Sequence, residues 1–102
     1  MKKILFVCSG GMSSAIIVSA FEKAAKESGL DVEVNAVGIG EVEDEVKKGY
    51  ELLLVAPQVR HKFELFKGYA DEVNIPSALI EPMSYTPLGG ARIVAQVQKI
   101  LG

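Results

Sequence analysis

Apolar and polar positions along this chain switch repeatedly between a strand period and a helix period. The run Ile4-Leu5-Phe6-Val7 is continuously apolar and predicts a first strand over Lys3 to Val7. From about Ser13 to Ser28 the spacing is helical. Ile16, Ile17, Ala20, Phe21 and Ala24 fall on one face, Lys23 and Lys26 lie opposite, and Gly29 is the stop. From Asp31 to Val37, Val32 and Val34 alternate with Asp31, Glu33 and Asn35, as in an edge strand with one wet face. A short helix over Val42 to Lys48 ends at Gly49. Leu52-Leu53-Leu54-Val55 is apolar throughout, as a central parallel strand should be, and Pro57 closes it. A third helix is predicted from about Val59 to Tyr69 and a fourth strand from Ser77 to Ile80. The loop Glu81 to Thr86 leads to a last helix over Pro87 to Leu101, with Thr86 as N-cap and Pro87 as first helical residue.

Strands alternating with helices over short connections predict a parallel sheet with helices on both faces. With right-handed crossovers, the expected fold is a single small α/β domain over residues 1–102. Its four-stranded parallel sheet has the order 2-1-3-4. In that order the topological switch point lies beside the C-terminal end of the first strand, where open α/β sheets place their reactive groups.

The residue at that point is Cys8, the only cysteine of the 102 residues. A single cysteine allows no intramolecular disulfide and no dithiol redox cycle. It is followed by Ser9-Gly10-Gly11-Met12-Ser13-Ser14. The small residues among these let backbone N–H groups turn inward around an anion. The helix behind them adds roughly half a positive charge at its N-terminus. Both features favour the negative form of a thiol placed there, which is its nucleophilic form. A buried core cysteine is the competing reading, since free cysteine is among the most buried residue types. The glycines and serines that follow are not core residues.

Absences narrow the chemistry. A small cysteine phosphatase or arsenate reductase needs an arginine at the position that Ser14 occupies, to grip the phosphoryl oxygens. No Gly-Lys-Ser/Thr phosphate loop is present, because no lysine lies between Lys3 and Lys23. His61, the only histidine, sits between Arg60 and Lys62 and reads as a solvated residue rather than a base. A cradle without arginine or lysine holds a phosphoryl group but does little for attack by water, which suits a carrier better than a hydrolase. The net charge of −2 gives no case for nucleic acid. No apolar run approaches the roughly 20 residues of a membrane span. The first strand is too short for a signal peptide, so a cytoplasmic protein is expected. No side-chain cluster has metal-ligand spacing, and no metal or cofactor is expected.

The segment Cys8 to Ser14 followed by Ala15-Ile16-Ile17-Val18, together with Leu53-Leu54-Val55-Ala56-Pro57-Gln58-Val59-Arg60, resembles the IIB component of the sugar phosphotransferase system, lactose/cellobiose type. The resemblance covers the whole chain in length and element order, and Tyr85, Gly89 and Gly90 fit the family's tail loop loosely. It implies a phosphotransferase that acts as a cysteine phosphoryl carrier. Cys8 would take the group from phosphohistidine of a IIA protein and pass it to a sugar, such as the disaccharides cellobiose or lactose, bound in a membrane IIC component. The family's phosphate-binding loop carries over to Ser9, Gly10, Gly11, Met12, Ser13, Ser14 and Ala15. Partners would dock on the Cys8 edge of the sheet, around Met12, Pro57, Gln58 and Arg60. Met12 could equally fill a gap beneath the loop, and Arg60-His61-Lys62 reads first as a solvated face. Two other function classes stay open on the residues alone: a small cysteine phosphatase or arsenate reductase-like enzyme, and a flavodoxin-like binding module that would tolerate Cys8→Ser.

Overall fold

The computed structural model describes residues 2–8 and 12–101, with side chains of the second stretch from residue 15 onward. Strands β1 (Lys2–Val7), β2 (Val32–Val37), β3 (Leu52–Val55) and β4 (Ser77–Leu79) form one parallel sheet in the order β2-β1-β3-β4. Helix α1 (Met12–Glu27) follows β1 and α2 (Val42–Glu45) follows β2. Helix α3 (Phe63–Glu72) follows β3 and α4 (Gly90–Leu101) follows β4. Short 3-10 turns flank α2 at Ile39–Glu41 and Val46–Lys48. Helix α1 packs against α4, and α2 against α3, giving a helical layer on each face.

The central pair is the driest part of the molecule. Ile4, Leu5, Phe6 and Val7 on β1 and all of Leu52 to Val55 on β3 are fully buried. Such strands have no wet face, so every position along them is apolar. The register pairs Ile4 with both Val34 and Leu52, and Val7 with both Val37 and Val55. On the β2 edge, Val32 and Val34 are half-buried while Glu33 and Asn35 are exposed, which matches the alternation in the sequence.

Several features depart from the sequence reading. The sheet-facing row of α1 is Ile17, Phe21 and Ala25, while Ile16 is 53% exposed. Ala20 and Ala24 face the start of α4 instead. A Cβ on Gly90 would collide with the Ala20 carbonyl and come within 3.3 Å of the Ala24 Cβ. Ile16 lies one turn before this crossing, ahead of the point where α4 begins. The last helix starts at Gly90 and not at Pro87, because Thr86 to Gly89 is a turn closed by the Gly89 N–H donating to the Thr86 carbonyl at 2.9 Å. Gly89 also presses on the Ser84 backbone with no room for a side chain. The third helix is preceded by a 3-10 segment, Pro57–Lys62, in which buried Val59 leaves helical geometry at φ −117°, ψ 23°.

Helix α3 also runs past the predicted Tyr69. Asn74 supplies its left-handed terminator at φ 60°, with the Ile75 N–H donating to the Ala70 carbonyl at 3.1 Å. Gly29 closes α1 the same way at φ 76°, with the Leu30 N–H reaching the Ala25 carbonyl at 2.8 Å.

The close α1–α4 crossing gives a direct test. Gly90→Ala should lower folding stability by about 1–3 kcal/mol, because the methyl meets backbone and not a side chain that can move. Gly68→Ala, in α3 with open space around it, should raise stability by roughly 0.5–1 kcal/mol. Urea unfolding of both variants measures the contrast, and equal effects would show that the crossing is not tight.

Candidate functional site

Cys8 continues the path of β1 by one residue. Its N–H donates to the Val37 carbonyl at 3.1 Å, and on the other side the Ala56 N–H donates to the Val7 carbonyl at 2.8 Å. The ends of β2 and β3 therefore hold it from both sides. The chain leaves β1 toward β2 through α1, and returns across the sheet from β2 to β3. The split between those two directions falls at Cys8, so the cysteine sits at the switch point.

The thiol is more enclosed than its place in the sequence suggests. Cys8 is 3% exposed, and its Sγ donates to the Val37 carbonyl at 3.7 Å. A sequence reading that sets the residue beside glycines and serines puts the side chain at the surface. The structure turns it toward the end of the neighbouring strand. Helix α1 begins at Met12, shortly after it, and Ala15 is exposed in the first turn. The expected loop residues Ser9, Gly10 and Gly11 lie outside the described residues, as do the side chains of Met12, Ser13 and Ser14.

The segment after β3 comes to the same edge. Pro57 is buried, two residues past the Val55 that pairs with Val7. Gln58 and Arg60 are exposed, and the Arg60 guanidinium donates to the Pro57 carbonyl at 3.3 Å, folding back on its own turn. His61 is exposed. Apolar side chains also reach solvent in segments attached to this edge. Ile39 follows β2 and is 42% exposed, while Met83 and Leu88, in the connection after β4, are 70% and 96% exposed. With Ile16 they account for most of the large exposed hydrophobics among the described residues. The sequence pattern missed Met83 and Leu88, because single apolar residues in loops carry no period.

Two tyrosines take distinct places in the fold. Tyr50 precedes β3, at the end of the sheet away from Cys8. Its hydroxyl donates to Glu45 Oε2 at 2.7 Å and accepts from Asn35 Nδ2 at 3.0 Å, and Lys3 Nζ stands 4.7 Å from the ring centroid. Burial, then the bond to Glu45, pushes its pKa up to about 12. Tyr50 ties β1, β2 and the α2 region together, remote from the thiol. Tyr85 lies beside β1 near the thiol. Its ring stacks on Phe6, with centroids 6.1 Å apart, and its hydroxyl is buried with no hydrogen-bond partner among the described residues. Burial raises its pKa, and the charge of Cys8 adds to the effect. Among the described residues no group of three or more metal-ligating side chains occurs, and no helix is long and apolar enough to cross a membrane.

Comparison with known proteins gives this geometry a family. The family model described as PTS system, Lactose/Cellobiose specific IIB subunit matches residues 3–96. The chain is 30% identical over 101 residues to the PTS system oligo-beta-mannoside-specific EIIB component of Bacillus subtilis, covering 99% of this chain and 97% of that protein. It is 36% identical over 85 residues to the PTS system lactose-specific EIICB component of Staphylococcus epidermidis. There the match takes in 83% of this chain but only 14% of the longer protein. Among solved structures, the lactose-specific IIB component domain of the phosphoenolpyruvate:carbohydrate phosphotransferase system from Streptococcus pneumoniae is similar at a TM-score of 0.75 and 26% identity. That likeness covers 93% of this chain and 95% of the other. The cellobiose-specific phosphotransferase IIB component protein from Borrelia burgdorferi shares the fold at a TM-score of 0.68 and 24% identity, over 98% and 88% of the two chains. With a family match that runs from the first strand into the last helix, the chain belongs to the lactose/cellobiose-specific IIB family of the sugar phosphotransferase system and is a phosphotransferase.

Proposed function

We propose that Cys8 is the phosphoryl acceptor and donor of this IIB protein. The observation that carries the reading is its position: the one thiol of the chain stands at the switch point, held between the ends of β2 and β3 and directly ahead of α1. In the first step the Cys8 thiolate attacks the phosphorus of a phosphohistidine on a IIA protein. The S–P bond forms as the P–N bond breaks, and the electron pair stays on the imidazole nitrogen, which then takes a proton. In the second step a sugar hydroxyl attacks the same phosphorus. The O–P bond forms, the S–P bond breaks, the thiolate is restored and the hydroxyl proton is lost. Residues Ser9 to Ala15 would hold the phosphoryl oxygens through backbone N–H groups at the head of α1. With Ser14 where a phosphatase has arginine, the site lacks the cation that would favour attack by water.

The partners follow from the same reading. A relative named as a lactose-specific EIICB component contains the matching segment within a longer protein, which supports a membrane IIC component as the acceptor side. The sugar belongs to the class named for the relatives: lactose, cellobiose or an oligo-beta-mannoside. Residues 1–102 form one IIB domain that works on the cytoplasmic side. IIA must bring phosphorus to bonding distance of Sγ, so it docks on the Cys8 edge. Gln58 and Arg60 and the exposed Ile16, Ile39, Met83 and Leu88 supply that surface, whereas Pro57, expected there from the sequence, is buried.

Cys8→Ser tests the acceptor. The serine hydroxyl can make the bond to the Val37 carbonyl that the thiol makes now, so the variant should fold. It should accept no phosphoryl group from IIA, as read by intact mass after incubation with phosphoenolpyruvate and the general phosphotransfer proteins. A serine variant that still gains the group refutes the assignment. Wild-type protein should leave an aryl phosphate unhydrolysed, whereas turnover would support a phosphatase. Docking is tested by NMR shift mapping with IIA. Perturbations should centre on Cys8 and extend to Arg60, Met83 and Leu88. Shifts confined to the opposite edge, near Gly29 and Gly49, would contradict it.

A further inference from the structure

Near the thiol, the fold leaves one polar group unserved. The Tyr85 hydroxyl is buried and has no hydrogen-bond partner among the described residues. Packing accounts for the ring but not for the oxygen. The ring stacks on Phe6 at 6.1 Å and 28°, and a phenylalanine would make the same stack without burying an unpaired donor, which is costly. Tyrosine is warranted only if its hydroxyl has a partner in some state of the protein.

The position of the ring says where that partner stands. Phe6 and Cys8 are two residues apart on one extended path, whose ladder continues through the Cys8 N–H, so their side chains share a face of the sheet. Tyr85 follows the 3-10 turn Pro82–Ser84 after β4 and is carried across that face toward the end of β1. Burial raises the pKa of the phenol, and negative charge at Cys8 would add to this, so the group stays protonated and is a donor. Among the described residues neither lysine nor arginine hydrogen-bonds at Cys8, and the Tyr85 hydroxyl is an unused side-chain donor on the thiol's face.

We propose that the Tyr85 hydroxyl donates a hydrogen bond to a phosphoryl oxygen carried on Cys8 Sγ, making Tyr85 a phosphoryl-binding residue of the loaded protein. The inference rests on the reading of Cys8 as phosphoryl acceptor. It gives the buried hydroxyl a state-dependent role. Without a partner among the described residues of the free protein and paired in the phosphorylated one, it biases exchange with IIA toward phosphocysteine.

Tyr85→Phe removes the hydroxyl and keeps the ring. Unphosphorylated Tyr85→Phe protein should unfold in urea at the same midpoint as wild type or higher, because no existing bond is lost. At equilibrium with phosphorylated IIA, the ratio of phosphorylated to free chain should fall about tenfold to a hundredfold, the range for a hydrogen bond to a charged group. The 31P resonance of the phosphocysteine should move as well. An unchanged ratio and an unchanged resonance overturn the inference and leave Cys8 as the acceptor. A lower unfolding midpoint in the unphosphorylated variant also overturns it, by showing that the hydroxyl is already bonded in the free protein. If wild-type protein takes no phosphoryl group on Cys8, the acceptor reading fails, and this inference with it.

Discussion

The pairing of β1 with a parallel neighbour on each side is the constraint on which the rest depends. Val7 is in register with both Val37 and Val55, so three strand ends stop at one level. The residue that follows Val7 can use only what those ends offer. Its N–H goes to the Val37 carbonyl, and the Ala56 N–H takes the Val7 carbonyl. From these ends β1 leads the chain to β2 on one side and β3 leads it to β4 on the other, so Cys8 stands where the two directions part. Burial of Ile4 to Val7 and Leu52 to Val55 makes this arrangement rigid. In the carrier role proposed for Cys8, a rigid platform would present the thiol in the same place to a protein donor and to a membrane-bound acceptor.

Much of this was legible in the residues, for physical reasons that can be named. Strands buried on both faces must be apolar at every position, so β1 and β3 announced themselves, and β2 showed its edge position by alternation. The order of strands followed from right-handed crossovers. Cys8 stood out because it is the sole thiol and lies between an apolar strand and a run of small residues. Helix ends were read correctly where glycine marks the left-handed position, as at Gly29 and Gly49, and too early where Asn74 takes that role.

What escaped the sequence depends on contacts between distant segments. Nothing local distinguishes Gly90, pressed on the Ala20 carbonyl, from a glycine in a loose loop. That contact brings α1 and α4 close together at Ala20 and Ala24, and Ile16, one turn earlier, stays in solvent. The burial of the Cys8 side chain against the Val37 carbonyl is likewise invisible without the pairing of β1 and β2. Tyr85 is the clearest case. It lies 77 positions after Cys8 in the numbering of the chain, and only its stack on Phe6 brings it to the thiol's face. The resemblance sets Tyr85 loosely in the family's tail loop, but its hydroxyl has no role there until the oxygen is found buried without a partner among the described residues.

In the proposed mechanism the single thiol is the atom that carries the phosphoryl group. With one cysteine in 102 residues, phosphorylation and thiol loss must run together mole for mole. Stepwise loading by phosphorylated IIA, with free thiol titrated under denaturing but phosphocysteine-preserving conditions, measures both quantities in one sample. The expected result is one thiol lost for each phosphoryl group gained, and full recovery of the thiol when the group is returned to unphosphorylated IIA. Phosphoryl incorporation with the thiol still titratable would contradict the account.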